Sequence, residues 1–203
     1  ITTTQVVVGK YLALLTVYLF PLGIVSVYPL IFARYGEVYL PASYGSIAAF
    51  FIMGAALIAI GTFISSLTEN QGFAAGIAIP VILLNYYSVS LAEHVSATAF
   101  GSAAALCVLC ALLGVVIRFL TKNEKLAYAV SIVMILAVCG AYFVDSTVFE
   151  GMLPDIMTRL SLFERFYTIV SGVFDLTAIV YYLTVIIFFL FLSVQSLEKR
   201  RYN

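Results

Sequence analysis

The chain has 203 residues, 64% of them hydrophobic and 10% charged, with ten basic and ten acidic side chains and a formal net charge of zero. Soluble domains carry roughly 25% charge, and the mean hydropathy here is +1.12, so the composition is that of an integral membrane protein. The neutral balance offers no basic surface for nucleic acid, and three cysteines, all inside apolar runs, suggest no disulfide framework.

The sequence opens on Ile1, and its first ten residues lack the basic-then-apolar pattern of a signal peptide. The N-terminus is therefore read as cut or unrecorded, with this chain the later part of a longer protein. Six charge-free runs follow, at residues 11–33, 42–67, 72–92, 95–117, 126–144 and 176–197. A bilayer crossing needs about 20 apolar residues, and backbone in lipid must satisfy its own N–H and C=O groups. Barrel strands alternate over roughly 10 residues. These runs are longer and apolar all round, so they are expected to be helices. If Lys10 is cytoplasmic, that side holds Lys10, Arg118, Lys122, Lys125, Lys199, Arg200 and Arg201, and the outside holds Arg34, Arg159 and Arg165. Only this orientation obeys the positive-inside rule.

Between the second and third runs lies a short polar turn with Ser65, Ser66, Thr68, Glu69, Asn70 and Gln71. It is too short to be a domain, so it is expected at the cytoplasmic face, where a soluble partner could touch two adjacent helices. Gly72 and Gly76 follow as a Gly-x-x-x-Gly pair, and Gly54, Ala55, Ala59 and Gly61 crowd the preceding run. Small residues let helix backbones approach in lipid. Packing within one subunit and a dimer seam both remain open for the pair.

Residues 145–175 carry seven charges among many large apolar side chains. Phe149, Met152, Leu153, Ile156, Met157 and Leu160 recur at spacings of three and four, and so do Phe163, Phe166, Tyr167 and Val170. That spacing predicts two short amphipathic helices, lying in the outer interface or dipping in and returning. A packed extracellular loop is the plainer alternative.

The runs contain no ionisable residue that would mark a coupling-ion or proton path. That argues against a proton- or sodium-coupled pump and against an intramembrane protease. His94 is the single histidine, beside Glu93 at the end of a run, and reads as a loop residue. Cys107 and Cys110 form a Cys-x-x-Cys inside an apolar helix with no companion ligands, which suits two small core thiols. No phosphate-binding loop is present, so any ATP must be bound by another chain. Pro21, Pro29 and Pro80 interrupt spans, as pivots or as the ordinary prolines of membrane helices. Asn85, Tyr86, Tyr87 and Ser88 make one polar-aromatic cluster, and Tyr181 and Tyr182 another. With Phe166 and Tyr167 they are candidate pathway or gate residues; interfacial anchoring is the simpler reading of the tyrosines.

Three stretches resemble the permease subunit of type-2 ATP-binding-cassette exporters, in the branch with the gliding-motility and copper-processing permeases. The run from Thr4 through Gln5, Gly9 and Lys10 to Ala13 looks like the entry to that family's third membrane helix. The stretch from Gly61 to Gln71 is similar to the turn between its fourth and fifth helices. Arg165, Phe166, Gly172, Asp175, Tyr181 and Tyr182 look like its re-entrant external helices leading to the last span, and the close from Leu197 to Tyr202 fits as well. The runs and the resemblance together give the expected fold: all-α and polytopic, one transmembrane permease domain over residues 1–203, with the six charge-free runs as spans and two short amphipathic re-entrant helices before the last. The resemblance also implies that the first two helices and the coupling segment are missing. It implies a separate ATP-binding subunit that carries ATP and magnesium, a second permease copy, room for an auxiliary extracytoplasmic protein, contact with membrane lipids, and the bacterial cytoplasmic membrane. No catalytic, cofactor or metal residue is implied on this chain. The family has one span between the middle turn and the external helices where this chain has three, and the role of the extra pair over 95–144 is not implied. A non-transporting scaffold or assembly protein would share the same spans. A secondary transporter would call for a midplane carboxylate and inverted repeats, and neither is found in the sequence.

Overall fold

The computed structural model describes residues 2–95, 97–121, 124–171 and 175–201; Lys122, Gly172 and Tyr202 lie outside them. The regular structure among the described residues is helical throughout: α1 (Thr3–Phe32), α2 (Leu40–Leu67), α3 (Gln71–His94), α4 (Ala99–Thr121), α5 (Glu124–Val144), a 3-10 turn (Ser146–Phe149), α6 (Met152–Leu160), α7 (Leu162–Val170) and α8 (Leu176–Arg201). Four of these, α1, α2, α3 and α8, are long and apolar enough to cross a bilayer. The chain after α5 bends by 118° into the 3-10 turn and α6, and that bent pair counts as a fifth if it is one span. Among the described residues the apolar stretch of α4 counted this way is Ala99–Val115. By length and composition the architecture is that of a helical membrane protein, with four to five helices among the described residues long and apolar enough to cross. The two nine-residue amphipathic helices expected in 145–175 are present as α6 and α7.

The chain packs as two compact units, residues 1–86 with 162–203, and residues 87–161. In the first unit α2 is central: 44% of its apolar window is buried, against 11% for α1, 6% for α3 and 17% for α8. One face of α2, with Met53, Ala56, Ile60 and Ile64, packs on Leu162 of α7 and on Ala178 and Tyr182 of α8. Small residues allow this: Ala56, Ala59 and Ala178 are fully buried, so the backbones come close. Against α1 the approach is closer still. A Cβ at Gly54 would collide with the Tyr18 ring. The Tyr18 hydroxyl donates to the Phe50 carbonyl at 2.8 Å, and the ring stacks on Phe51 with centroids 6.1 Å apart. The Tyr11 hydroxyl donates to Ala55 O at 3.1 Å, and Tyr44 of α2 reaches back to Ser26 O at 3.1 Å. Three phenols thus cross-link α1 and α2 by donating to carbonyls of the neighbouring helix. A phenol in an apolar setting needs such a partner, and a carbonyl has a second lone pair to offer.

Helix ends follow local rules. Thr2 and Gln5 form a reciprocal capping box at the start of α1. Helices α1 and α3 run through Pro21, Pro29 and Pro80 without a break. Before α8, Asp175 Oδ1 accepts the Thr177 amide at 2.8 Å. Hydrogen bonds from the Thr177 side chain and amide, and to a lesser degree from Ala178 and the Arg165 charge, hold the Asp175 carboxyl below the usual range.

The second unit is the α4–α5 hairpin with the 3-10 turn and α6. Arg118 pairs with Glu124 and hydrogen-bonds Tyr128 Oη at 3.3 Å, which ties the hairpin together near its turn. Asp145 caps the 3-10 turn by accepting the Thr147 amide at 3.0 Å and the Thr147 hydroxyl at 2.6 Å. Those bonds lower its carboxyl pKa. Phe149 is buried, its ring 5.9 Å from that of Tyr142. Gly151 has φ of 71°, a left-handed conformation that glycine adopts without Cβ strain, and its amide donates to Ala97 O at 2.9 Å.

Candidate functional site

The first unit holds two groups of sequence-predicted residues, one at the C-terminal end of α2 and one around the start of α7. At the C-terminal end, α2 stops at Leu67 and α3 starts at Gln71. The Thr68 hydroxyl accepts the Asn70 amide at 3.2 Å, and Asn70 Oδ1 accepts the Gly72 and Phe73 amides at 2.9 and 3.3 Å. Asn70 is therefore the cap of α3, satisfying donors that a helix start leaves open. The Ser66 hydroxyl donates to Phe63 O at 2.7 Å, and the Ser66 carbonyl accepts the Ser196 hydroxyl of α8 at 3.1 Å in a buried contact. Ser66, Thr68 and Asn70 thus build the turn. Ser65, Glu69 and Gln71 are exposed, and among the described residues Glu69 has neither hydrogen bond nor ion pair.

Beside the turn a cleft of about 460 Å³ opens between α1, α2 and the start of α3. Ala13, Leu14, Ile58 and Ala74 give it apolar walls; Lys10, Thr62, Ser65 and Gln71 are its polar members, and Gly61 completes it. The sequence marks Lys10 as cytoplasmic and as part of the stretch that resembles the entry to the family's third membrane helix, not as lining a cleft. Gly76 has open space where a Cβ would stand, and at Gly72 only the Asn70 side chain comes near. The Gly-x-x-x-Gly pair therefore meets no other helix among the described residues.

The second group surrounds the start of α7. Leu162 is buried, and its two backbone groups are held from two sides. Its amide donates to Asn85 Oδ1 of α3 at 3.1 Å, and its carbonyl accepts the Tyr182 hydroxyl of α8 at 2.6 Å. The Tyr86 ring meets Phe163 edge-on at 5.0 Å, and Phe166 packs on Phe50 of α2 at 5.8 Å. The Arg165 guanidinium lies 4.2 Å above the Tyr181 ring, itself 6.0 Å from Tyr182. The structure thus brings together Asn85, Tyr86, Phe166, Tyr181 and Tyr182. Tyr167 touches Phe166 at 5.8 Å but is largely exposed, and Tyr87 is exposed on α3. What unites the cluster is Leu162, which no sequence signal marks because its contribution is made by backbone atoms.

The remaining chemistry-bearing residues play local parts. His94 Nδ1 stands 2.8 Å from Ser90 O of its own helix. Cys107 and Cys139 are half-buried free thiols and Cys110 is a buried one. Among the described residues no three His, Cys, Asp or Glu side chains are placed to hold a metal ion. Compared with family models, curated proteins and solved structures, the chain matches none.

Proposed function

We propose that the chain is the membrane subunit of an ATP-driven transporter, an exporter of the type-2 class, which lines a pathway with a second permease copy and takes its energy from a separate ATP-binding subunit. The observation that carries this reading is the way α2 is fixed at two levels along its length. Near the polar turn it is bonded to α8 through Ser66 and Ser196; about three turns in from its start it packs through Phe50 on α7, which Tyr182 bonds to α8. A push on the turn would tilt α2 and α8 together and carry α7 with them. Packed helices transmit such rigid-body motion because they do not deform continuously. The exposed Ser65, Glu69 and Gln71 offer the partner its contact.

In this reading six helices span the bacterial cytoplasmic membrane, the turn faces the cytoplasm, and α6 and α7 are the external re-entrant pair. ATP and magnesium are held on the partner, and this chain performs no covalent chemistry. The test is purification from native membrane followed by reconstitution. A nucleotide-binding subunit should copurify, and its hydrolysis should rise with this chain present. Glu69→Lys should lower that stimulation by on the order of fivefold, the scale of about 1 kcal/mol for one exposed charge contact, with insertion unchanged. Purification without any nucleotide-binding partner would favour a scaffold or assembly role instead.

A further inference from the structure

The cleft beside the polar turn has a feature that energy coupling does not use. Lys10 is not at the end of α1: seven helical residues precede it, among them Val6, Val7 and Val8. Tyr11 bonds to Ala55, and Lys10 shares the cleft with Ile58 and Gly61, while α2 continues to Leu67. The lysine therefore lies below the polar turn, about two helical turns from the end of α2. Among the described residues it has no ion-pair partner. A lone ammonium at that depth is unfavourable unless its head reaches water or an anion.

The cleft provides a route. Apolar side chains form its walls, and Thr62, Ser65 and Gln71 line it with polar groups. Its volume of about 460 Å³ falls in the range of small-molecule sites, roughly 300–1,000 Å³. An occupant must match one positive charge, a few hydroxyl and amide groups, and a greasy wall. We propose that this cleft binds one phospholipid with a net negative headgroup, its phosphate on Lys10 and an acyl chain along Leu14 and Ile58. Basic pockets between membrane helices favour anionic headgroups for this reason. The inference needs only that α1, α2 and α3 lie in a bilayer; it does not depend on transport.

Nitroxide-labelled phosphatidylglycerol and phosphatidylcholine, each added to the full chain in nanodiscs of unlabelled phosphatidylcholine, test this. The immobilised fraction should favour phosphatidylglycerol about fivefold. Lys10→Gln should remove the preference, and Lys10→Arg should keep it. Gly61→Leu should displace both lipids, since a Cβ there meets nothing within 4 Å and the longer side chain has only the cleft to fill. Leucine also favours helix over glycine, so helicity should be kept. Equal immobilisation of the two lipids, a preference that survives Lys10→Gln, or retention in Gly61→Leu would each overturn the assignment. Loss of the labelled lipid to inorganic phosphate alone would also overturn it, because the site would then take a free anion.

Discussion

At the scale of single residues, the contacts that fix this protein are made by polar atoms on otherwise apolar side chains. Tyr11, Tyr18 and Tyr44 each donate to a carbonyl of the neighbouring helix, and Tyr182 does the same for Leu162. Gly54 is the complement to Tyr18, because the ring occupies the space a side chain would need. Gly54→Ala should therefore destabilise the first unit by about 1–3 kcal/mol, the usual effect of overpacking. An unfolding titration in mixed micelles measures it, and adding Tyr18→Leu should recover much of the loss. If the alanine alone has no effect, α1 and α2 are not this close. None of the three zipping tyrosines stood out in the sequence. A tyrosine in a membrane helix reads as an interfacial anchor as easily as a donor, and its partner is a carbonyl, which every residue has.

Among the elements, α2 does the most and α3 the least. Both are apolar, and both carry small residues: Gly54, Ala55, Ala56 and Ala59 in one, Gly72 and Gly76 in the other. In α2 those residues are where α1 and α8 come close. In α3 they face open space or their own cap. The motif states that close approach is permitted, and only a neighbour makes it happen. The helix starts are more local. Asp175 caps α8, and its folded carboxyl pKa lies below the unfolded value. The stabilisation is therefore complete above the ordinary carboxylate value, about 3.9, and is lost as pH falls through the lower folded one. Hydrogen exchange at the Thr177 amide should stay protected from neutral pH down to about pH 4 and open in stronger acid. Asp175→Ala should remove the protection at every pH, whereas Asp175→Asn should keep it without the acid loss. Protection that declines between pH 7 and 5 would rule out the Asp175 cap as its source.

For the whole molecule the central question is which ends lie together. The Ser196 hydroxyl on the Ser66 carbonyl brings the C-terminal ends of α2 and α8 to one end of the first unit. Cysteines placed at Asn70 and at Arg200 should then react with an impermeant thiol reagent from the same side of sealed vesicles. Labelling from opposite sides would break both the helix pairing and the orientation drawn from Lys and Arg. The alternation of runs and charges requires the same sidedness, so two independent lines meet in this prediction.

Composition and run length by themselves determined that the chain is helical and membrane-embedded, because lipid forbids unpaired backbone and only helices of that length satisfy it. Spacing of apolar residues likewise marked α6 and α7, since a one-sided stripe is a local property of three or four positions. Tertiary structure decided the rest. It selected α2 as the centre, turned Asn85 and Tyr182 into holders of Leu162, placed Lys10 in a cleft, and bent the chain by 118° after α5. In lipid nearly every helix face is apolar, so hydrophobic pattern does not say which face finds protein and which finds lipid. That choice rests on shape and on a few hydrogen bonds between residues far apart in the sequence.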